Sequence, residues 1–316
     1  MVELTDLKPE TAGMLAEVLD ALSRPQKELP CKYLYDEAGS RLYDQICELA
    51  EYYPARTEME IMRQNVGDIA NMLGPKCLLI EYGSGSSEKT RILLSNLEDM
   101  AGYVPIDISK EHLLRASQSV RDRYPNLEVM PVCADYTNHI RLPIPARTVS
   151  RHVVYFPGST IGNFEPDEAV EFLKRVTEMC GPGDGLLIGV DLQKDPRILA
   201  AAYDDRDGVT ARFNLNLLSH VNSALDADFD LTKFRHRAVY HDAIGRVEMH
   251  LVSECEQVVH VGEVEFDFGK GETIWTESSY KYTIDGFADL AKRANFEVHK
   301  VWTDAAKLFS VQYLCR

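Results

Sequence analysis

Residues 76–90 read KCLLIEYGSGSSEKT, a short apolar run that ends in Gly83-Ser84-Gly85 and passes into a polar segment. A continuous apolar stretch of this length, bounded by glycine, predicts a buried strand over residues 76–82. The glycines behind it let the backbone turn sharply and approach a ligand, and a helix starting near Ser87 would offer free N–H groups. Three ligand classes compete for such a turn. A phosphate loop, G-x-x-x-x-G-K-[ST], needs glycine at 88, where Glu88 stands, and the dinucleotide fingerprint G-x-G-x-x-G fails at the same position. The third pattern, an acidic residue followed by x-Gly-x-Gly at a strand end, is met in full by Glu81, Gly83 and Gly85.

Outward from this unit the rhythm repeats. The spacing predicts a helix over 57–73 stopped by Gly74-Pro75, a strand over 102–108, a helix over 109–124 capped by Ser109, and strands over 127–133 and 152–156. A helix over 167–180, ended by Gly181-Pro182-Gly183, precedes a strand over 186–190. This alternation points to an α/β fold with a doubly wound, Rossmann-like parallel sheet. Asp107 and Asp135-Tyr136 then fall at the ends of the second and third strands, the end where ligands of such sheets bind.

Between about 193 and 282 the alternation breaks. One helical stretch over 200–218 is followed by strands such as 247–255 and 264–268, which read as an inserted antiparallel unit. A helix over 284–294 and an edge hairpin from 297–303 and 308–314 complete the main sheet. Ahead of the first strand lie a helix over residues 11–22 and an aromatic-rich segment with a short helix on Leu42, Ile46 and Leu49, before a loop at Tyr52-Tyr53-Pro54. Five tyrosines fall within its 21 residues 33–53, either as amphipathic core or as a pocket lined by hydroxyls. The insertion is expected to pack against the sheet domain and form one side of a cleft.

Composition narrows the function. The chain has 316 residues, 34 Lys plus Arg against 50 Asp plus Glu, and a formal net charge of −16, which argues against nucleic-acid and anionic-membrane partners. Seven cysteines without a C-x-x-C pair make a disulfide framework or zinc knuckle unexpected. The nine histidines include no H-E-x-x-H, so no metal is expected. Without an apolar leader in the opening residues or a membrane-length apolar run, the expectation is a cytoplasmic protein with a small-molecule ligand.

The Glu81-to-Gly85 pattern resembles the first motif of S-adenosylmethionine-dependent methyltransferases, whose ligand carries a carboxylate and a sulfonium but no phosphate. The resemblance becomes closer in YLYDEAGSRLYDQICELAEYYPARTE (33–58), VPIDIS (104–109), FPGSTIGNF (156–164), AAYDDRDGVTARFNLNLL (201–218), WTESSYKYT (275–283), VWTD (301–304) and LFSVQYL (308–314). Together these are similar to the histidine-specific methyltransferase family, and they span nearly the whole chain. The resemblance implies a class I methyltransferase sheet at 59–192 and 282–316 that binds S-adenosylmethionine, and a discontinuous α+β substrate domain at 1–58 and 193–281. It implies Nα-trimethylation of L-histidine to hercynine, the first step of ergothioneine biosynthesis. A different amino acid or a tryptophan derivative as substrate, or a non-catalytic cofactor-binding protein, remains the alternative.

Carried over motif by motif, Glu81, Gly83, Gly85, Lys89, Asp107, Asp135 and Tyr136 would contact S-adenosylmethionine. Tyr35, Tyr52, Asn163, Tyr203, Met249, Glu277 and Ser279 would contact the amino acid, with Tyr35 and Asn163 closest to the chemistry. Position 136 is Tyr where the family more often has Phe, which keeps the stacking role. These residue types suit methyl transfer to an amine, which needs alignment of a neutral lone pair more than a strong base. Amide and phenol groups can hold the amine without adding charge, and a carboxylate at 277 can accept an imidazole N–H.

Overall fold

The structure, a computed structural model, describes residues 4–7, 11–85 and 88–316. In chain order it runs β1 (Thr5–Asp6), α1 (Thr11–Leu22), β2 (Lys27–Glu28), a 3-10 turn (Cys31–Tyr35), α2 (Glu37–Glu48), α3 (Tyr53–Leu73), β3 (Cys77–Tyr82), α4 (Glu88–Leu94) and β4 (Gly102–Asp107). Next come α5 (Lys110–Arg123), β5 (Val132–Cys133), β6 (Arg151–Phe156), a 3-10 turn (Thr160–Asn163), α6 (Pro166–Met179), β7 (Gly185–Asp191), α7 (Pro196–Tyr203) and α8 (Val209–Leu225). The remainder is β8 (Phe234–His241), β9 (Arg246–Ser253), β10 (Gln257–Val261), β11 (Val264–Phe268), β12 (Thr273–Tyr280), α9 (Ile284–Arg293), β13 (Glu297–Thr303) and β14 (Phe309–Cys315).

Most elements lie where periodicity places them, and the exceptions have local causes. Helix α3 starts at Tyr53 rather than at 57, because Pro54 is tolerated in a first helical turn, where its missing N–H costs nothing. The single helix expected over 200–218 is two, α7 and α8. Asp205 breaks it by accepting the N–H groups of Val209 at 2.9 Å and Thr210 at 2.7 Å, which starts α8 afresh. The strand expected over 127–133 pairs only at Val132–Cys133, apart from one bridge between Val129 and Tyr103. Ser109 occupies the cap position of α5 but makes no capping bond through its side chain. The expected start near Ser87 falls outside the described residues.

The chain divides into two compact units. One holds residues 4–7, Pro54–Gln193 and Tyr280–Arg316, and its sheet has the order β1-β5-β4-β3-β6-β7-β14-β13, with β14 antiparallel to both neighbours. Successive residues of β3 feed opposite faces: Leu78, Ile80 and Tyr82 join the layer of α6 and α9, while Cys77 and Leu79 join that of α3, α4 and α5. Strands β3, β4 and β5 progress one way across the sheet and β6 and β7 the other. The switch point therefore lies between β3 and β6, where the loops following both strands leave room for a ligand.

The second unit comprises residues 11–53 and Lys194–Ser279. Its four-stranded sheet has the order β2-β12-β9-β8, beside the separate β10-β11 hairpin. Helix α8 buries Phe213, Leu217, Leu218 and Val221 at helical spacing. These units divide at 53/54, 193/194 and 279/280, and β1 falls in the sheet unit, where the expectation has all of 1–58 in the other. Among the described residues, no helix is long and apolar enough to cross a membrane.

At the carboxyl end of β7, Asp191 meets Lys281 at 2.8 Å, with neither side chain exposed. The same residue's N–H donates to Ser159 Oγ at 2.9 Å, so the pair anchors the loop after β6. Lys281→Met should cost about 3–5 kcal/mol, the scale for stranding one partner of a buried pair, and Asp191→Asn in that background should return much of it. Chemical denaturation checks this; an unchanged midpoint for Lys281→Met would show that other neighbours neutralise Asp191.

Candidate functional site

The turn after β3 is left-handed at both glycines, with φ of 70° at Gly83 and 47° at Gly85, a conformation that costs glycine little. Asp107, the last residue of β4, fixes it from the side. Its carboxylate accepts the N–H groups of Gly85 at 3.0 Å and Ser109 at 2.9 Å. Burial raises the Asp107 pKa above the ordinary carboxylate value, and the two backbone donors oppose that shift. Asp135 is buried and shaped by Thr137, whose N–H and hydroxyl donate to Oδ1 at 2.9 and 2.6 Å.

Tyr136 leans over the turn, its Cε1 standing 3.9 Å from where a Cβ of Gly83 would be. Behind it the rings of Tyr82, Phe156 and Phe172 lie at 5.8, 5.7 and 6.2 Å. Asp107, Asp135 and the ring of Tyr136, three of the expected cofactor contacts, thus gather with the glycine turn at one edge of one sheet. Asn163 closes the 3-10 turn that follows β6 at the same edge.

Two expected cofactor residues are placed differently. Glu81 is 1% exposed, and its oxygens accept from Thr90 Oγ1 at 2.5 Å and from the Tyr103 hydroxyl. Glu81 thus braces the loop from behind, joining β3, β4 and α4. Burial pushes its pKa up to about 8, so around neutrality it is largely a neutral acid. Lys89 is paired 2.5 Å from Glu58, whose side chain has no exposed surface, while keeping 19% of its own surface exposed. It can thus reach outward from a fixed base.

The expected amino-acid contacts, except Asn163, lie in the second unit. Tyr52 and Tyr203 are buried, with ring centroids 6.3 Å apart, edge to face. Tyr35 stands edge-on to Tyr43 at 5.6 Å and to Phe213 at 5.5 Å, and Tyr43 reaches Tyr52 at 6.2 Å. The Tyr203 hydroxyl donates to Ser279 Oγ at 2.7 Å. Glu277, on the same strand, and Met249 are buried. Burial raises the Tyr43 and Tyr52 pKa values well above the ordinary phenol value, so both stay neutral hydroxyls at physiological pH.

The comparisons with known proteins decide the family. The model of the histidine-specific, S-adenosylmethionine-dependent methyltransferases matches residues 14–316. The chain belongs to this family. A histidine N-alpha-methyltransferase of Mycolicibacterium smegmatis is 41% identical over 95% of this chain and 94% of its own length. One from Mycobacterium tuberculosis is 39% identical, over 96% of this chain and 95% of its own. Ergothioneine biosynthesis protein 1 of Schizosaccharomyces pombe is 28% identical over 86% of this chain, which spans 36% of that protein. The chain is thus a methyltransferase enzyme whose methyl donor is S-adenosylmethionine.

Sequence reading did not single out Glu58, Tyr43 or Phe213 in this family member. Tyr43 was one of the five clustered tyrosines. Glu58 had a signal of its own, since it precedes the buried Ile61 and Met62 by three and four residues, on what must be the apolar stripe of α3.

Two outcomes follow from the sheet edge. Asp107→Ala should weaken binding of S-adenosylhomocysteine by about 2–3 kcal/mol, the scale for losing charge-assisted hydrogen bonds; unchanged affinity in calorimetry would take Asp107 out of the cofactor site. Glu81 keeps its proton to about 8 in the folded state against about 4.5 unfolded, so the folded protein binds more protons between those values. Stability from this group is fully present below the lower value and lost as pH rises through the upper one. The melting temperature should therefore fall more from pH 6 to pH 9 in the wild type than in Glu81→Gln, by a few degrees. Parallel curves would mean that Glu81 is ionised throughout.

Proposed function

We propose that this enzyme transfers three methyl groups to the α-amine of L-histidine, giving hercynine and opening a route to ergothioneine. The near-full-length likeness to two histidine N-alpha-methyltransferases carries this reading. In the reading, Gly83, Gly85, Lys89, Asp107, Asp135 and Tyr136 hold the methyl donor. Tyr35, Tyr52, Tyr203, Met249, Glu277 and Ser279 hold the amino acid, and Asn163 orients its amine. The residues fit the donor's chemistry: a carboxylate held by backbone N–H groups suits ribose hydroxyls, and the Tyr136 ring beside the glycine turn suits a flat base.

S-adenosylmethionine supplies a methyl group on a sulfonium, and its C–S bond breaks as the N–C bond forms. The protein's part is alignment of a neutral nitrogen. Asn163 and the phenols of Tyr35 and Tyr52 can hold that nitrogen by hydrogen bonds without a full charge nearby. The nitrogen sheds a proton after the first and second transfers and none after the third, which leaves a fixed cation. Tyrosine faces then attract the methylammonium as it grows.

Specificity falls to Glu277, accepting an imidazole N–H, and to Ser279, serving the other ring nitrogen. Incubation with S-adenosylmethionine and mixed amino acids should add one, two and three methyl groups to histidine, read by mass. Glu277→Ala should lower kcat/KM for histidine by about 1–3 kcal/mol, the cost of an unpaired buried N–H, while sparing tryptophan or phenylalanine. Equal losses on every substrate would indicate a folding role. A wild type that leaves histidine unmethylated and modifies an indole instead would overturn the histidine assignment.

A further inference from the structure

Glu58 is a carboxylate with no exposed surface on the second turn of α3. Burying such a group is costly unless every oxygen is paired, and the pairs it makes come from separate parts of the chain. The N–H of Gly158 donates to Oε2 at 2.9 Å and to Oε1 at 3.1 Å. Lys89, in the first turn of α4, donates to Oε2 at 2.5 Å. The strand beneath makes room: a Cβ at Gly189, inside β7, would stand 2.3 Å from Oε1. Glycine weakens a strand interior, and here it lets the carboxylate lie against the backbone.

Gly158 is no ordinary donor. It opens a pair of successive left-handed residues, with φ of 77° at Gly158 and 58° at Ser159, just ahead of the turn that ends in Asn163. Gly162 presses that turn against Tyr280, whose carbonyl oxygen would lie 2.7 Å from an added Cβ. The loop is thus pinned at both ends, at Gly158 by Glu58 and at Gly162 by close packing.

We propose that Glu58 is a positioning residue for methyl transfer, locking the loop that carries Asn163 to Lys89 at the start of α4, so that one buried charge sets both the amine-orienting loop and the cofactor loop. The role of Asn163 in it rests on the functional reading above. Arrival of a donor carboxylate at Lys89 would be felt at Gly158 through a single intervening side chain, because an ammonium has three donors and can serve two acceptors.

The test uses the full-length protein. Glu58→Gln keeps the volume and one acceptor but removes the charge. Its kcat should fall at least tenfold while the KM for histidine changes by less than threefold. Lys89→Met should show a comparable loss of kcat, and the double variant little more than either single one, because coupled partners are not additive. Amide exchange of residues 158–163 should quicken at least tenfold in Lys89→Met, whose substitution lies outside that loop. Gly189→Ala, which crowds the carboxylate from the strand side, should reproduce the kcat loss.

A kcat within twofold of wild type in folded Glu58→Gln, additive losses, or unaltered exchange of 158–163 in Lys89→Met would each overturn the proposal. Should Glu58→Gln fail to fold, the Lys89→Met exchange experiment decides alone. Wild-type turnover of histidine, run in parallel, tests the functional reading separately, and the exchange experiment reads Glu58 whichever amino acid is the substrate.

Discussion

Backbone N–H groups that leave the parallel sheet at its carboxyl edge lose their ladder partners, and buried acids at this edge take some of them and tie the elements beneath the loops together. Asp107 takes Gly85 and Ser109, and Glu58 takes Gly158. Glu81 joins Thr90 to Tyr103 beneath the glycine turn, and Asp191 closes the end of β7 on Lys281. Irregular loops have no intrinsic geometry to hold a ligand, and these four acids supply it. The cost is four acidic groups at least partly withdrawn from water, each of which must have its charge met.

The way each charge is met separates the roles. Glu81 meets it with a proton, since burial lifts its pKa to about 8; Glu58 and Asp191 meet it with a lysine each. All three are thereby committed to the scaffold. For Asp107 the contacts that oppose its raised pKa most strongly are backbone N–H groups, which carry no net charge. On the proposed reading it is the acid of the set left to accept from ribose hydroxyls. A strand-end acid is therefore assigned to ligand or to scaffold by what stands behind it, and residue type alone does not say which.

That distinction marks where the sequence stops being legible. The sheet, its closing hairpin, the break after residue 193 and the placing of Asp107, Asp135 and Tyr136 at strand ends all follow from apolar periodicity and glycine position, because burial of strands leaves a local trace. The glycine turn likewise announces itself, since only a few residue types accept positive φ. The partners of Glu81 and Glu58 do not announce themselves. Tyr103 lies 22 residues from Glu81, and Gly158 lies 100 residues from Glu58, so the contacts that turn a motif acid into a brace are long-range. The split of α7 from α8 was missed for a related reason: Asp205 reads as one acid among several until its two backbone bonds are seen.

The second unit meets a different demand with a different chemistry. On the proposed reaction, the amine loses one N–H with each of the first two transfers, so any group that accepts from it is progressively abandoned. A carboxylate in that place would end each cycle facing a trimethylammonium that offers it no N–H, its charge met but its hydrogen-bond acceptance not. A phenol abandoned as an acceptor still has its hydroxyl hydrogen to turn elsewhere, as Tyr43 and Tyr52 can toward one another across 3.4 Å. Burial keeps both hydroxyls protonated, and their ring faces become more useful as the nitrogen gains methyl groups and a permanent charge. A cluster of tyrosines can therefore serve all three transfers without rebuilding, which a single well-placed base could not.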